Sequence, residues 1–407
     1  MKLLYILLIP GVIISSIANV ESSDYEAPKV LHANEFLPEE VLNSDLYTIR
    51  NEIETEGFTN TYYVSSDFGE FIAHGNETLY KVVQEIKAIN ELAKLKDSDQ
   101  FIEGAKASAK SPFNFIESLI NEPVDTIIGI PEGLWQYGSR AAEMTTQEKS
   151  EFEDNFGKEL ILFSSIKRKL AYDLNVDVYS SNKVLQEHLN SVSWAAYSGG
   201  FVVSIALRPL TIVRLTKTGN TLNGLIRDKP PEDLRRINRA KLREMDVNED
   251  VIEHFLNSQW LSPRHETIIV GELSYQGIKD GLEEYLMLAS SSESEQDAFF
   301  HQNIIQLIGH YLDNTTETDV KIVVRDNFTL LKVRKHYVFP LLVDYGNWTE
   351  RGEAIINEFE HAIRGQGDED IQILLWITGV VSDRAKAELK NRKIILVENA
   401  FDTGASN

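Results

Sequence analysis

The sequence predicts a mixed α and α/β protein, in which a large, mainly helical region is followed by a small C-terminal α/β domain with a partly parallel sheet. Between residues 76 and 314, apolar side chains recur every three or four positions, which is the period of an α-helix. After residue 320, short apolar strand patterns alternate with helical patterns, and this order implies parallel strands joined by crossovers. With 407 residues, 43% of them hydrophobic, the chain can bury a large core and divide into two or three domains.

Residues 1–18 have the layout of a cleavable secretory signal peptide. Lys2 precedes an apolar run from residue 3 to 14, and the small side chains of Ser16 and Ala18 predict cleavage after Ala18. The apolar run is too short to cross about 30 Å of hydrocarbon at about 1.5 Å per residue. A retained N-terminal anchor or core helix is the alternative, and the Pro-Gly pair inside the run disfavours it. The chain contains no cysteine, which excludes disulfides and a lipid anchor on cysteine.

Residues 19–75 form a mixed segment, and residues 76–314 form the helical region. In the first, we expect one hairpin, from Tyr62–Ser65 back to Phe71. In the second, helices are expected at 78–97, at 151–174 and from Asn182 into Leu207, then from Pro231, Asn248, Ser262 and Ser294, with Asn248 and Ser262 as caps. Prolines and glycines between Ala105 and Thr145 predict short, jointed helices there, and 192–206 is too short for a membrane span.

Residues 320–399 form the α/β domain, and 400–407 form a tail. A hairpin turning at Asp326 and Asn327 is followed by two helices, capped by Asn347 with a capping box to Glu350, and by Ser382. The expected strands are 321–325, 329–335, 338–344, 371–378 and 393–397.

The net charge of −23 disfavours a nucleic-acid partner, because phosphates would meet a negative field. The densest basic stretch, 235–243, spreads over several faces of a helix and is interpreted as a solvated surface.

Three stretches resemble recurring segments of exported bacterial proteins that have no assigned activity: TYYVSSDFGEFIAHG (61–75), DVYSSNKVLQEHL (177–189) and LWITGVVSDRAKAELKNR (375–392). The resemblance covers most of the chain after the signal. It implies a bacterial envelope setting and brings no catalytic residues.

No familiar catalytic or metal motif occurs in the sequence. HExxH, G-x-S-x-G and the P-loop pattern are absent. His301 and His310 project to different faces of one helix, and Asp368–Asp370 follow no EF-hand spacing. We therefore expect no metal site and no cofactor.

The ends of two predicted parallel strands carry the candidate site, because ligands of α/β sheets bind beyond such ends. Side chains there could bind a small ligand or a peptide carboxylate, or could merely cap helices and turns. The catalytic candidates are Asp344, Thr378 and Ser382, and the ligand-binding candidates are Tyr345, Asn347, Trp348 and Gly379.

From these observations we expect an exported protein, periplasmic or extracellular, that is not an enzyme. It would act as a binding or scaffold protein, on a protein partner or at the surface of a membrane. The alternative is a hydrolase or a small-ligand-binding enzyme that uses the C-terminal strand ends.

Overall fold

The computed structural model describes residues 25–108, 151–199, 203–210 and 216–402, apart from 28, 206, 318, 326–327, 335 and 365–370. These residues form 14 helices and 12 strands in three sheets, which confirms the predicted mixture of α and α/β structure. The signal segment 1–18, the proline-rich segment from 109 onward, the hairpin turn at 326–327 and the acidic turn at 368–370 lie outside the described residues.

An antiparallel sheet begins the described chain. The predicted hairpin is confirmed as the pair β4–β5. Along the other edge of β4, β3 pairs near Thr61 and β2 near Val64, and β1 extends the sheet beyond β3. These three strands were not predicted, because runs of two to four residues give no clear alternation. The elements are β1 (Leu31–His32), α1 (Ala33–Phe36), α2 (Glu39–Leu42), β2 (Tyr47–Ile49), β3 (Glu52–Thr55), β4 (Asn60–Ser66) and β5 (Gly69–His74).

Nine of the described helices then form the central region. Helix α3 joins the two parts, since Leu79 and Val83 pack into the core of the first sheet while Ile89 and Leu92 pack among the later helices. The connecting helix is α3 (Asn76–Lys96). The nine helices of the central region are α4 (Asp99–Ser108), α5 (Glu151–Asp173), α6 (Lys183–Gly199), α7 (Gly219–Asp228), α8 (Pro231–Glu244), α9 (Glu249–Leu256), α10 (Pro263–Gln276), α11 (Leu282–Ser290) and α12 (Glu295–Asp313).

Local capping signals placed several of these helices correctly. Asn248 accepts a hydrogen bond from the Asp250 backbone N–H, and Ser262 accepts one from His265, so both predicted caps are confirmed. The helix predicted from Asn182 into Leu207 was too long, because α6 ends at Gly199 and the described residues beyond it, 203–205 and 207–210, are not helical. A Gly-Gly pair at 199–200 costs helix stability at that point. No described helix has the length and apolar character to cross a membrane.

The C-terminal sheet has the strand order β12-β10-β8-β7-β6. The hairpin β6–β7 and the pair β7–β8 are antiparallel, whereas β8–β10 and β10–β12 are parallel, so the partly parallel sheet is confirmed. Its elements are β6 (Val320–Arg325), β7 (Phe328–Val333), β8 (His336–Leu341), β9 (Tyr345–Gly346), α13 (Glu350–Arg364), β10 (Gln372–Ile377), β11 (Val380–Val381), α14 (Asp383–Asn391) and β12 (Ile394–Val397).

Helices cover both faces of this sheet. Leu331 and Val338 pack with α9–α12 on one face, and Phe339 and Leu375 pack with Phe359 of α13 on the other. A strand buried on both faces needs no polar alternation, which explains the nearly continuous apolar runs in the sequence.

The N-terminus of α13 differs from the prediction. The Thr349 hydroxyl accepts a hydrogen bond from the Gly352 backbone N–H at 3.0 Å, so Thr349 is the cap and the box of Asn347 with Glu350 is wrong. Both residue types cap helices well, and the sequence alone does not decide between positions two apart. Ser382 does cap α14, by accepting from Ala385 N–H at 3.1 Å.

Gly281 joins the helical layer to the sheet. Its φ is +80°, and a Cβ at this position would lie 1.8 Å from the Ile322 carbonyl oxygen on β6. The Ile322 N–H also donates to the Asp280 carbonyl at 3.0 Å, so backbone meets backbone here. A side chain at 281 would push α11 away from β6.

We expect Gly281→Ala to lower the free energy of unfolding by about 3 kcal/mol or more, because strain at positive φ adds to the clash with backbone. Gly224→Ala in α7 is the matched control, since no atom lies within 4 Å of its added Cβ. It should be neutral or stabilise by about 0.5–1 kcal/mol. Urea denaturation measures both, and equal effects would contradict the close approach.

Candidate functional site

The structure brings the predicted strand ends together. β8 and β10 are parallel neighbours, with Leu341 opposite Ile377. After a short break, the two segments that follow these strands pair with each other again as β9 and β11. The predicted site residues lie in these breaks and just beyond them: Asp344, Tyr345, Asn347, Trp348, Thr378, Gly379 and Ser382.

Asp344 joins three parts of the molecule. Its Oδ2 accepts from the Asn60 backbone N–H at 2.8 Å, at the start of β4, and its Oδ1 accepts from the Asn76 N–H at 3.0 Å, in the first turn of α3. The residue before α3, Gly75, supplies no side-chain cap, so the carboxylate of Asp344 caps this helix from 268 residues away. Asp344 is 8% exposed, and burial raises its pKa to about 6 against the effect of the two N–H donors.

Thr378 and Gly379 close the break between the paired strands. The Thr378 hydroxyl donates to the Val343 carbonyl at 2.9 Å and accepts from the Val343 N–H at 3.0 Å, so it stands in for a missing backbone partner. A Cβ on Gly379 would lie 2.2 Å from the Asp344 carbonyl oxygen. Both residues are therefore required by the backbone path at this edge.

Ser382 and Trp348 both bind a carboxylate that belongs to the protein itself. The Ser382 hydroxyl donates to Glu26 Oε2 at 2.5 Å, and the Trp348 backbone N–H donates to the same oxygen at 2.6 Å. Glu26 also donates its own backbone N–H to the Trp348 carbonyl at 2.8 Å. The carboxylate that the sequence analysis expected from a ligand is thus supplied from the N-terminal segment.

An ionic network lies beside this carboxylate. Arg392 pairs with Glu353 and with Glu360, and its guanidinium lies 5.4 Å from the centre of the Trp348 ring. The Tyr25 hydroxyl donates to Glu353 Oε2 at 2.8 Å. Tyr25 and Glu26 are therefore both held by residues of the C-terminal domain.

Tyr345 and Asn347 face the N-terminal sheet. The Tyr345 ring contacts Phe36 edge to face at 5.4 Å between centroids, and the Asn347 N–H donates to the Gly57 carbonyl at 3.2 Å. Asn347 is 6% exposed, and its side-chain oxygen has no hydrogen-bond partner among the described residues.

The three candidate catalytic side chains bond to other groups of the fold. The Ser382 hydroxyl donates to a carboxylate, and the described structure gives it no imidazole partner of the kind that activates a serine nucleophile. Both Asp344 oxygens are bonded to backbone N–H groups. Within the described ranges, no three His, Asp or Glu side chains are grouped to hold a metal ion.

A buried polar cluster in the helical region was missed by the sequence analysis. Glu85 is 3% exposed and accepts from the Ser180 hydroxyl at 2.6 Å and from Asn182 Nδ2 at 3.0 Å, while Lys81 pairs with Glu295. Burial raises the pKa of Glu85, and the positive charge of Lys81 opposes that effect. The sequence did contain a signal for this cluster. Glu85 lies three residues after Val82, so an acidic side chain falls on the same buried face of α3 as its apolar residues.

A second buried acid lies in α10. Glu266 is fully buried, and neither carboxyl oxygen has a hydrogen-bond partner among the described residues. Burial raises its pKa well above the ordinary value, and the positive charge of Arg235 opposes that effect.

An open groove of about 820 Å³ lies elsewhere, at the C-terminal ends of α9 and α11. Most of the residues that line it are polar, and they include Asp250, His254 and Glu293 beside Trp260. Neither this lining nor its open shape indicates a particular ligand.

No known family model, curated protein or solved structure matches this chain.

Asp344 predicts a specific pH dependence of stability. Its folded pKa of about 6 lies above the ordinary 3.8, so the unfolded chain releases this proton first. The free energy of unfolding should then fall by up to about 3 kcal/mol as pH rises from about 4 to about 6. Asp344→Asn should lack this fall, whereas the exposed Asp383→Asn should retain it. Denaturation between pH 4 and 7 measures all three proteins, and parallel curves for wild type and Asp344→Asn would contradict the assignment.

Proposed function

We propose that the chain is an exported protein of the bacterial envelope that acts by binding, as a scaffold for a protein partner or at the surface of a membrane. The observation that carries this proposal is the state of the strand-end groups. Asp344, Thr378 and Ser382, the candidates for catalysis, are each bonded within the fold. A catalytic group needs a free hydrogen-bond donor or acceptor for its substrate. These three side chains form their hydrogen bonds with backbone groups and with Glu26.

Exposed apolar side chains on α4 and α5 support a binding role. Ile161 and Leu162 of α5 are 64% and 55% exposed, and Ile102 of α4 is 42% exposed. Both helices pack on α6, where Phe163 stacks on Trp194 with 4.4 Å between ring centroids. We use the name α4–α5 surface for these three exposed side chains, Ile102, Ile161 and Leu162, which lie on two helices that each pack on α6.

The sequence adds a second reason to place an interface here. The two helices flank residues 109–150 in the chain, and the apolar residues of that segment, among them Phe113, Phe115 and Trp135, are typical of an interface. Glu117, Glu122 and other acids in the same segment would be repelled by anionic lipid. A protein partner or a weakly charged membrane surface fits this combination.

Export is tested by the mass of the protein recovered from the producing cells. We expect the mature form to begin at Asn19, because Ser16 and Ala18 provide the small residues that signal peptidase requires. Intact-mass measurement on periplasmic and secreted fractions reads this directly. A chain that keeps residues 1–18 in all fractions would contradict cleavage.

The α4–α5 surface is tested by adding charge to it. Ile161→Lys with Leu162→Lys should reduce recovery of the protein with washed membranes, or with a cross-linked partner, by about tenfold, since burying two charges opposes either contact. Ile72→Lys is the matched control, because Ile72 is 58% exposed on β5 in the first sheet. Loss from the membrane fraction identifies a lipid contact, and loss of the cross-linked species identifies a protein. Unchanged recovery of both would contradict this surface.

A further inference from the structure

Strand β5 is an edge of the first sheet, and its outer side pairs with no other described strand. It has six residues and is bonded to β4 along its inner side. The other edges are short or covered, as is usual in proteins that avoid unwanted pairing. β1, β2 and β12 have two to four residues, and the Ile322 N–H of β6 bonds to the Asp280 carbonyl. By contrast, β5 contains no proline or lysine, and Ile72 near its centre is 58% exposed.

The register of β5 on β4 determines which of its backbone groups point outward. The Gly75 N–H donates to the carbonyl of Asn60, the residue directly opposite, at 2.8 Å. Hydrogen-bonded pairs recur at every second residue of an antiparallel ladder, so alternate residues of β5 bond to β4 in the same way. The N–H and C=O groups of the residues between them point away from β4 and have no backbone partner in the described part of the chain. These residues are Glu70, Ile72 and His74.

The side chains of these three residues lie on the outer face of the sheet, because the residues that alternate with them pack into the core. Ile72 lies opposite Tyr63 of β4, and the Arg50 guanidinium is 5.3 Å from the centre of the Tyr63 ring. The exposed edge therefore has an apolar centre at Ile72, with an acidic and an imidazole side chain two residues to either side.

Hydroxyl groups of β4 orient the two polar side chains. The Ser65 hydroxyl donates to Glu70 Oε1 at 2.5 Å, and Thr61 Oγ1 lies 3.2 Å from His74 Nδ1. Glu70 Oε2 and His74 Nε2 have no hydrogen-bond partner among the residues that the structure describes. One acceptor atom and one ring nitrogen are thus available to a strand that adds to this edge.

The edge is complementary to a second copy of itself. When two copies of β5 run antiparallel with Ile72 opposite Ile72, Glu70 of each copy falls opposite His74 of the other, since both lie two residues from the centre. A carboxylate then meets an imidazole on each side of an apolar pair, which is a favourable set of cross-strand neighbours. The three outward N–H groups of each copy also meet the three outward carbonyl groups of the other.

Other registers are less favourable. A shift of one residue places outward backbone groups opposite residues whose own groups are already bonded to β4, so the ladder cannot form. A larger shift that centres the pair on Glu70 sets two carboxylates against each other and leaves His74 outside the ladder. Backbone pairing and side-chain pairing therefore favour the same register, with Ile72 on the two-fold axis.

We infer that β5 is the surface through which two copies of this chain pair, so that the first sheet continues from one copy into the other across a two-fold axis at Ile72. One strand edge is smaller than the roughly 800 Å² per partner of a typical stable interface, and the net charge of −23 on each copy opposes association. We therefore expect a dissociation constant of about 10–200 μM. The inference goes beyond the proposed binding role and does not depend on it, because β5 and the α4–α5 surface are different elements.

Single cysteines test the register directly, because the chain contains no cysteine of its own. In the proposed pair the two Cα atoms of residue 72 lie about 5.5 Å apart, which a disulfide can span, whereas those of residue 70 lie about 14 Å apart. Under mild oxidation we expect Ile72→Cys to form a disulfide dimer at least about tenfold faster than Glu70→Cys alone. A mixture of Glu70→Cys and His74→Cys should form the mixed dimer about as fast as Ile72→Cys.

Sedimentation equilibrium of the purified chain tests the dimer without a cross-link. Ile72→Lys sets two ammonium groups against each other on the axis, so it should weaken the dimer by at least about tenfold. Ile395→Lys is the matched control, because Ile395 is 42% exposed on β12, the edge strand of the other sheet. Ile161→Lys with Leu162→Lys should also leave the dimer intact. The dimer has twice the mass of the chain, which distinguishes it from a cross-linked partner of the α4–α5 surface.

A wild-type chain that stays monomeric up to about 0.5 mM would overturn the inference. Equal oxidation rates for Ile72→Cys and Glu70→Cys would overturn it as well, because collisions alone would then explain the cross-link. A monomer that Ile72→Lys destabilises, seen as a lower circular dichroism melting temperature, would assign this edge to another segment of the same chain. Cross-links from residue 72 that reach only a chain of different mass would assign it to a partner protein. Either of these two results contradicts pairing between copies.

Discussion

The buried carboxylate of Asp344 is the constraint on which the relative placement of the first sheet, helix α3 and the C-terminal domain depends. A carboxylate this deeply buried is costly unless N–H groups point at it, and the chain directs those of Asn60 and Asn76 toward its two oxygens. Helix α3 lacks a side-chain cap of its own, and the N-terminal residue of β4 would otherwise have an unpaired N–H. Asp344 therefore connects the three elements at this point through its two hydrogen bonds.

Two glycines serve that junction for different reasons. Gly75 has a φ of +89°, which residues with a side chain rarely adopt, whereas a Cβ on Gly379 would clash with the Asp344 carbonyl. Main-chain bonds also connect the junction to the residues around Glu26, since the Ser382 N–H donates to the Gly346 carbonyl at 2.8 Å. The placement of Asp344 and that of Ser382 are thus linked through a few main-chain bonds at one edge of the sheet.

The parts of the fold that could be predicted are those determined by residues close together in the sequence, such as helix caps and strand patterns. Ser382, Asn248 and Ser262 cap the helices they were expected to cap, and the alternation of strand and helix patterns toward the C-terminus predicted the parallel pairing of β10 and β12. The first sheet could not be predicted beyond its hairpin, because β1, β2 and β3 are short and derive their stability from partners on other strands. Likewise, the candidate residues at the strand ends were placed together correctly, but Glu26 was not foreseen as their partner, since its bonds to Trp348 and Ser382 span 322 and 356 residues.

The length of those two connections has a consequence for the order of events during folding. Synthesis delivers Tyr25 and Glu26 early, whereas Trp348 and Ser382 follow only after more than three hundred further residues. Until then Glu26 has neither of these two partners, so its bonds to them cannot form before the C-terminal sheet and the helix after Ser382 are in place. The contact of Glu26 with Ser382 is therefore among the last to form, and it marks a molecule whose two ends have both folded.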